Sequence, residues 1–264
     1  MDDIGKGELF FSPPNGKLRL ADIQDGLKTY SFDLPAGRSC PQALTCKSHV
    51  ALKNGVSKIV DGHSCKVRCY AASLEAVYPA VRIRHSKNFD AVRHHLRRGG
   101  SNELANAIMQ SIPATCTRIR IHSSGDFFNE KYLKSWITVA RKRPDIIVYC
   151  YSKSVKWCID LKKQIDNAPN LIITLSYGGK QDDLIEASGY KTATVVFSEE
   201  SAKKLGLPID STDGLASNRA VRATALLIHG TQPKGSVAGK AVAQLRTRTK
   251  IRQKQAEEKT HTYK

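Results

Sequence analysis

No apolar run in this sequence approaches the roughly 20 residues that a helix needs to cross a bilayer, so a membrane partner is not expected. The first residues, MDDIGKGELFFSPPNGK, lack the apolar core of a secretory signal. The expected location is a cytoplasm. No Gly-x-Gly-x-x-Gly follows the first strand of the regular part of the chain, which argues against dinucleotide binding. HGTQPKGS lacks the Gly-Lys-Ser/Thr ending of a phosphate-binding P-loop. No Ser-His-Asp triad is readable from residue order. Acidic residues are scarce: 24 Asp and Glu face 42 Lys and Arg, for a net charge of +18.

That charge is concentrated. Residues 81–100, VRIRHSKNFDAVRHHLRRGG, hold six Lys/Arg against one Asp, and residues 240–264 hold eight against two Glu. The two segments carry +11 of the +18. Such clustering suits a polyanion partner such as nucleic acid. A solvated helix face and a polar tail are the plain alternative. Their only aromatics are Phe89 and Tyr263, few for the stacking platforms of single-strand binders.

The 264 residues suffice for one large domain or two small ones. From residue 118 short β-rich runs recur: RIRIH (118–122), IIVYCY (146–151), LIITLS (171–176), TATVVF (192–197) and ALLIH (225–229). Between the first two, Tyr132, Leu133, Trp136, Ile137 and Ala140 fall on one helical face. Strands alternating with crossovers predict a parallel sheet. Five successive units predict an α/β fold with a parallel βα barrel, full or partial. Upstream, KLRLADI (17–23) and KTYSFDL (28–34) read as strands. The second leads into a cysteine-rich loop at about 36–70. YAASLEAVYPAV begins a helix that Pro79 should break, and SNELANAIMQSI (101–112) reads as another, with Ser101 or Asn102 as its cap. Residues 1–239 are expected as one domain, and 240–264 as a basic exposed tail.

Seven cysteines in a reducing compartment argue for a metal site or simple burial rather than disulfides. Four are paired as Cys40-x5-Cys46-x18-Cys65-x3-Cys69. Each pair is already closed by a short loop, so only one longer loop has to be ordered. Thiolates suit an iron–sulfur cluster or zinc. The helix after Cys69 would turn its amides towards a cluster's charge. Cys116, Cys150 and Cys158 lie in or beside apolar runs and read as buried small hydrophobes.

A βα barrel whose first strand enters a cysteine loop ending in Cys-Tyr-Ala resembles the radical S-adenosylmethionine (SAM) superfamily. The set CPQALTC…RCYAAS, RIHSSGDFF, VVFSEE and LIHGTQP resembles more closely a phage-encoded family catalogued as gene product 88, over nearly the whole chain. HSSGDFF is its most specific element. The resemblance implies a radical-SAM-like barrel of TIM type, an iron–sulfur cluster, most simply [4Fe-4S], and a phage or prophage origin, hence a host cytoplasm. By position it implies Cys40, Cys46 and Cys69 as ligands and leaves Cys65 as an extra thiol. The superfamily's own cysteines are spaced three and two apart; these are not. SSGD stands where the superfamily holds the amino group of SAM, so Ser123, Ser124, Gly125 and Asp126 are the implied cofactor contacts.

Three thiolates leave one iron open to SAM or another ligand; four close the cluster. Two further readings therefore stand beside the enzyme. One is a non-catalytic redox or structural iron–sulfur protein docking on a partner. The other is a nucleic-acid-binding protein with a structural metal site.

In βα barrels chemistry sits at the C-terminal strand ends. Here those ends are polar: His122 to Asp126, Ser152 and Lys153, Ser176 and Tyr177, Ser198 and Glu199, and His229. The glycine-bearing SYGGK suits oxyanion contacts. Asp126 reads either as a ligand contact or as the cap of the helix that follows.

Overall fold

The structure, a computed structural model, describes residues 7–261, with backbone alone for 250 and 252–261. The principal sheet has six parallel strands: β1 (Thr29–Phe32), β4 (Arg118–Ile121), β5 (Ile147–Ser152), β6 (Leu171–Ser176), β7 (Lys191–Val196) and β8 (Ala223–Leu227). The intervening β2 (Ser48–Lys53) and β3 (Val56–Asp61) form a separate antiparallel hairpin. Spatial order in the sheet follows chain order, so the winding never reverses and every strand exit lies on one edge. No bridge joins β1 to β8 among the described residues. The closed barrel that the sequence allowed is not formed; the sheet is open.

The five strands expected downstream of residue 118 are all present. β6 is buried at all six positions, as a parallel strand covered on both faces must be. The helix Glu130–Lys142 buries the five residues expected on its apolar face.

Four helices matter to the site: α1 (Gly16–Asp25), α2 (Tyr70–Val77), α3 (Pro79–Ser111) and α4 (Glu130–Lys142). Pro79 opens α3, so it ends one helix and starts the next. Non-helical Gly99 and Gly100 kink α3, so the helix expected at 101–112 is its second limb. α4 packs on α3. Trp136 meets Phe32 edge-on, with centroids 5.4 Å apart, at the centre of the main core.

The structure departs from the sequence-based expectations at three further places. KLRLADI is not a strand but most of α1. Asn15 caps its start through a side-chain acceptor for the Leu18 amide, and left-handed Gly26 ends it. Leu18 and Ala21, three apart, are its buried residues. Asp22 and Asp25 on this helix pair with Arg118 of β4. The hairpin β2–β3 was not foreseen inside the cysteine loop. Its turn is Asn54-Gly55, both with positive φ, the sequence signal for a two-residue hairpin. The third concerns the tail. The C-terminal helix runs Val237–His261, so the expected boundary at 239/240 falls inside it. Ala238, Ala241 and Val242 are buried against Ile228 and its neighbours, whereas Arg246, Arg248 and Ile251 are exposed. The tail's residues 262–264 lie outside the described residues.

Candidate cysteine-lined site at the sheet edge

The chain leaves β1 at Asp33 and turns into the cysteine loop. Gly37 sits at φ +68, and a Cβ there would lie 2.5 Å from the Ser48 carbonyl oxygen, so the loop requires glycine. The segment Cys40–Cys46 is laid across the exit of β6. Leu44 and Thr45 amides donate to the Gly178 carbonyl at 3.1 and 2.9 Å, and the Lys180 amide donates to Gln42 at 2.9 Å. SYGGK is thus a bed for the cysteine loop rather than an oxyanion cradle. A Cβ on Gly178, at φ +96, would collide with Thr45 Oγ1.

The second pair is clamped from the other end of the sheet. Lys66 and Val67 amides donate to the Thr45 carbonyl at 2.8 and 3.0 Å. Gln232, after β8, accepts from the Arg68 amide at 2.8 Å and donates to its carbonyl at 3.0 Å. Cys69 then starts α2, its amide donating to Ser48 Oγ at 3.1 Å.

These clamps bring Cys40, Cys46 and Cys69 to one cavity of about 390 Å³ at the strand exits. Cys65 is not in its wall; it lies beside Ser48 Oγ, 3.9 Å away, near enough to Cys46 for their charges to interact. Burial raises the Cys40 thiol well above its usual range, and the Asp126, Cys69 and Cys46 charges add to this. Burial and then Cys46 push Cys69 up to about 12, against a lowering pull from the amides of Ala71 and Ala72. Cys46 is also raised by burial, with Lys153 opposing. Without a bound cation these are neutral thiols. Among the described residues, no three or more His, Cys, Asp or Glu side chains form a group set to hold a single metal ion. Cys116, Cys150 and Cys158 are buried in the core, as expected.

The wall opposite in sequence comes from the end of β4. His122, Ser123, Ser124, Gly125 and Asp126 all line the cavity, but their roles differ. Asp126 is no helix cap: Asn129 accepts from the Tyr132 amide and caps α4. Buried Asp126 instead accepts from Ser152 Oγ at 2.6 Å and the Lys153 amide at 2.8 Å, tying the exits of β4 and β5 together. Burial raises its carboxyl to about 6, despite those hydrogen bonds. Gly125 is required by packing, since a Cβ would lie 2.7 Å from Leu34 Cβ and Ser39 Oγ. Ser124 Oγ donates to buried Glu75, 3.1 Å away, which also accepts from the Ala36 amide at 2.9 Å and shares a hydrogen bond with His85. Ser123 Oγ is buried without a partner among the described residues. His122 Nε2 shares a hydrogen bond with Tyr132 at 2.8 Å, while Nδ1 has no partner among the described residues.

Of the other polar strand ends, Ser152, Lys153, Ser176 and His229 line the cavity. Ser198 caps a short helix, and the Tyr177 hydroxyl donates to Glu186. Arg120, Asp213, Lys17, Tyr70 and Tyr151 also line the cavity and were not singled out in the sequence. Arg120 had a signal: an arginine inside a strand with both faces covered needs a buried partner. That partner is Asp213, 2.5 Å away.

A family model described as Gene product 88 matches residues 12–254. The chain belongs to the Gene product 88 family. A curated protein of similar sequence, the Gene 88 protein of Mycobacterium phage L5, is 27% identical over 146 residues, 52% of this chain and 53% of that protein. The likeness therefore spans about half the length of that relative. No solved structure matches the chain. Among the described residues no helix is long and apolar enough to cross a membrane. In this Gene product 88 chain the segments HSSGDFF, RCYAAS and LIHGTQP pack together: Tyr70 donates to the Ser123 carbonyl, and its ring lies 4.7 Å from that of His229.

Proposed function

We propose that this Gene product 88 protein is an iron–sulfur protein on a radical-SAM-like partial barrel, loaded in a reducing host cytoplasm. Cys40, Cys46 and Cys69 would hold a [4Fe-4S] cluster at the cavity, and a small polar ligand would bind beside it. The observation that carries this reading is the placement of three thiols, drawn from two loops up to 29 residues apart, in the wall of one cavity at the strand exits. The thiolates of a cluster bind different irons, so they need not converge as the ligands of one ion do. The start of α2 behind Cys69 favours the negative charge of such a centre. When bound, a reduced cluster with an open iron supplies an electron to a ligand there. Ser123 Oγ is an unengaged hydroxyl within that wall, Asp126 and Ser152 fix the wall, and SAM is the ligand to which the family resemblance points.

Protein purified without oxygen should contain iron and acid-labile sulfide, and SAM should perturb the electron paramagnetic resonance of its reduced form. Stoichiometric zinc without sulfide would overturn the cluster. An unperturbed resonance would leave a cluster protein that is not a SAM enzyme. The proximity of Cys65 to Cys46 favours one second reading, a closed four-thiolate site serving redox or structure. The exposed Arg84, Lys87, Arg93, Arg97 and Arg98 of α3 are the proposed polyanion surface. Its affinity for mixed DNA or RNA should fall steeply with salt, and salt-insensitive binding would count against it.

A further inference from the structure

The fold carries the start of α1 to the cavity: Asn15, Gly16 and Lys17 line it. The amides of Leu18 and Arg19 are taken by the Asn15 side chain and carbonyl, at 3.0 and 2.9 Å. Those of Gly16 and Lys17 precede any intrahelical acceptor. No acidic residue stands in the first turn to balance the positive end of the helix dipole.

A second observation, independent of the helix, points the same way. Arg120 is 7% exposed and lines the same cavity. Its Nη1 is spent on Asp213, but its Nε, also buried, has no partner among the described residues. Leaving such a donor unsatisfied costs about 1–3 kcal/mol. Ser123 Oγ, a third unengaged donor, lines the cavity too. The local charge agrees. The single carboxylate of Asp213 lies 2.5 Å from both Lys17 Nζ and Arg120 Nη1. Arg120 Nε and the amides of Gly16 and Lys17 can only donate, Ser123 Oγ can donate or accept, and two cations share the one Asp213 carboxylate.

We propose that the start of α1, Lys17, Arg120 and Ser123 form an anion subsite that takes the phosphate or carboxylate group of a small ligand. The inference rests on reading the cavity as a ligand site, and not on any metal at the cysteines. It adds to that reading the class of ligand and the residues that would orient it.

The test is thermal unfolding of the full chain titrated with inorganic phosphate or with acetate, against chloride at matched ionic strength. Saturable stabilisation beyond chloride is expected from one of the two, and which one distinguishes a phosphate ligand from a carboxylate. Lys17→Gln and Arg120→Lys should each weaken the apparent affinity about tenfold, the weight of one charge-assisted contact. Arg120→Lys keeps a cation for Asp213. Should it fail to fold, Lys17→Gln decides. An Arg141→Gln/Lys142→Gln double variant on exposed residues of α4 should leave the affinity unchanged. No saturable effect of either anion, or an equal loss in the α4 variant, overturns the subsite. Iron and sulfide measured on the same samples separate the two claims. Cluster without anion binding sinks the subsite alone, and anion binding without cluster sinks the cluster alone.

Discussion

Residues 118–227 and residues 33–69 are held in different ways. The first region is a run of parallel strands whose side chains supply much of the main core, with Ile119, Ile121, Val148, Cys150, Ile173 and Leu175 all buried. The second has little core of its own; Ala36 joins Ala71 and Ala72 of α2 in a small cluster. It is fixed by hydrogen bonds to segments that follow strands of the first, Thr45 to Gly178, Lys180 to Gln42 and Arg68 to Gln232, and by Glu75 of α2, which accepts from the Ala36 amide. Apolar burial makes the scaffold, and polar clamps shape the cysteine loop on it. Such a region opens locally at less free energy than the whole fold, and anything that binds its thiols in the native state adds stability there.

The comparison breaks most visibly if the scaffold is cut. Trp136→Ala removes the largest fully buried side chain. It is expected to cost about 3–5 kcal/mol in global stability, read by denaturant unfolding. A loss below about 1 kcal/mol would mean that the core is not centred there. Gly178→Ala strikes the bed of the cysteine loop instead. Strain of about 1–3 kcal/mol is expected, with faster amide exchange confined to residues 40–69 and reduced iron uptake. Uniform loss of protection across the sheet would show that the two regions are one cooperative unit. Asp126→Asn lies at the junction. The amide cannot reproduce both acceptor roles toward Ser152 and Lys153, so about 1–3 kcal/mol should be lost. Unchanged stability would leave Asp126 as a ligand contact alone.

The smallest net effect is in pH dependence, where two buried groups act in opposite senses. Burial, and then the charge of Arg120, hold His122 down to about 3. An unfolded histidine titrates near ~6.5. Below that pH the unfolded chain takes a proton that the native chain refuses, so stability falls as pH drops from about 6.5 towards 3. Asp126, raised to about 6, acts in the opposite sense: the native chain binds its proton first, so acid between about 6 and 4 favours the fold. His122→Asn suits the left-handed backbone at φ +70 and should flatten the loss of stability between pH 6.5 and 4. An unchanged slope would show that His122 is not held neutral.

Legibility follows the same division. The strands after residue 118 and the face of α4 were readable because apolar periodicity is local. The site was readable only in part. Spacing pointed to all four cysteines, and only likeness singled out Cys40, Cys46, Cys69 and SSGD; the role of Gly125 depends on Leu34 and Ser39, which the fold alone brings near. Lys17 was misread because K-L-R-L alternates like a strand, while its cap residue Asn15 and Gly26 at the end carried the better signal. Arg120 and Asp213 pair across 93 residues, beyond any pattern in one sequence. Asn54-Gly55 carries the hairpin signal within one sequence, but β2 and β3 are short and β3 has no buried residue, so no apolar run flags the strands beside it.

The most direct test of the account is cluster content in four single variants, reconstituted without oxygen and assayed for iron and acid-labile sulfide. Cys40→Ser, Cys46→Ser and Cys69→Ser should each lose most of both, and Cys65→Ser, changed outside the cavity wall, should keep them. If Cys65→Ser loses as much as Cys69→Ser, the site is a closed four-thiolate one and the open, ligand-binding iron proposed here is wrong.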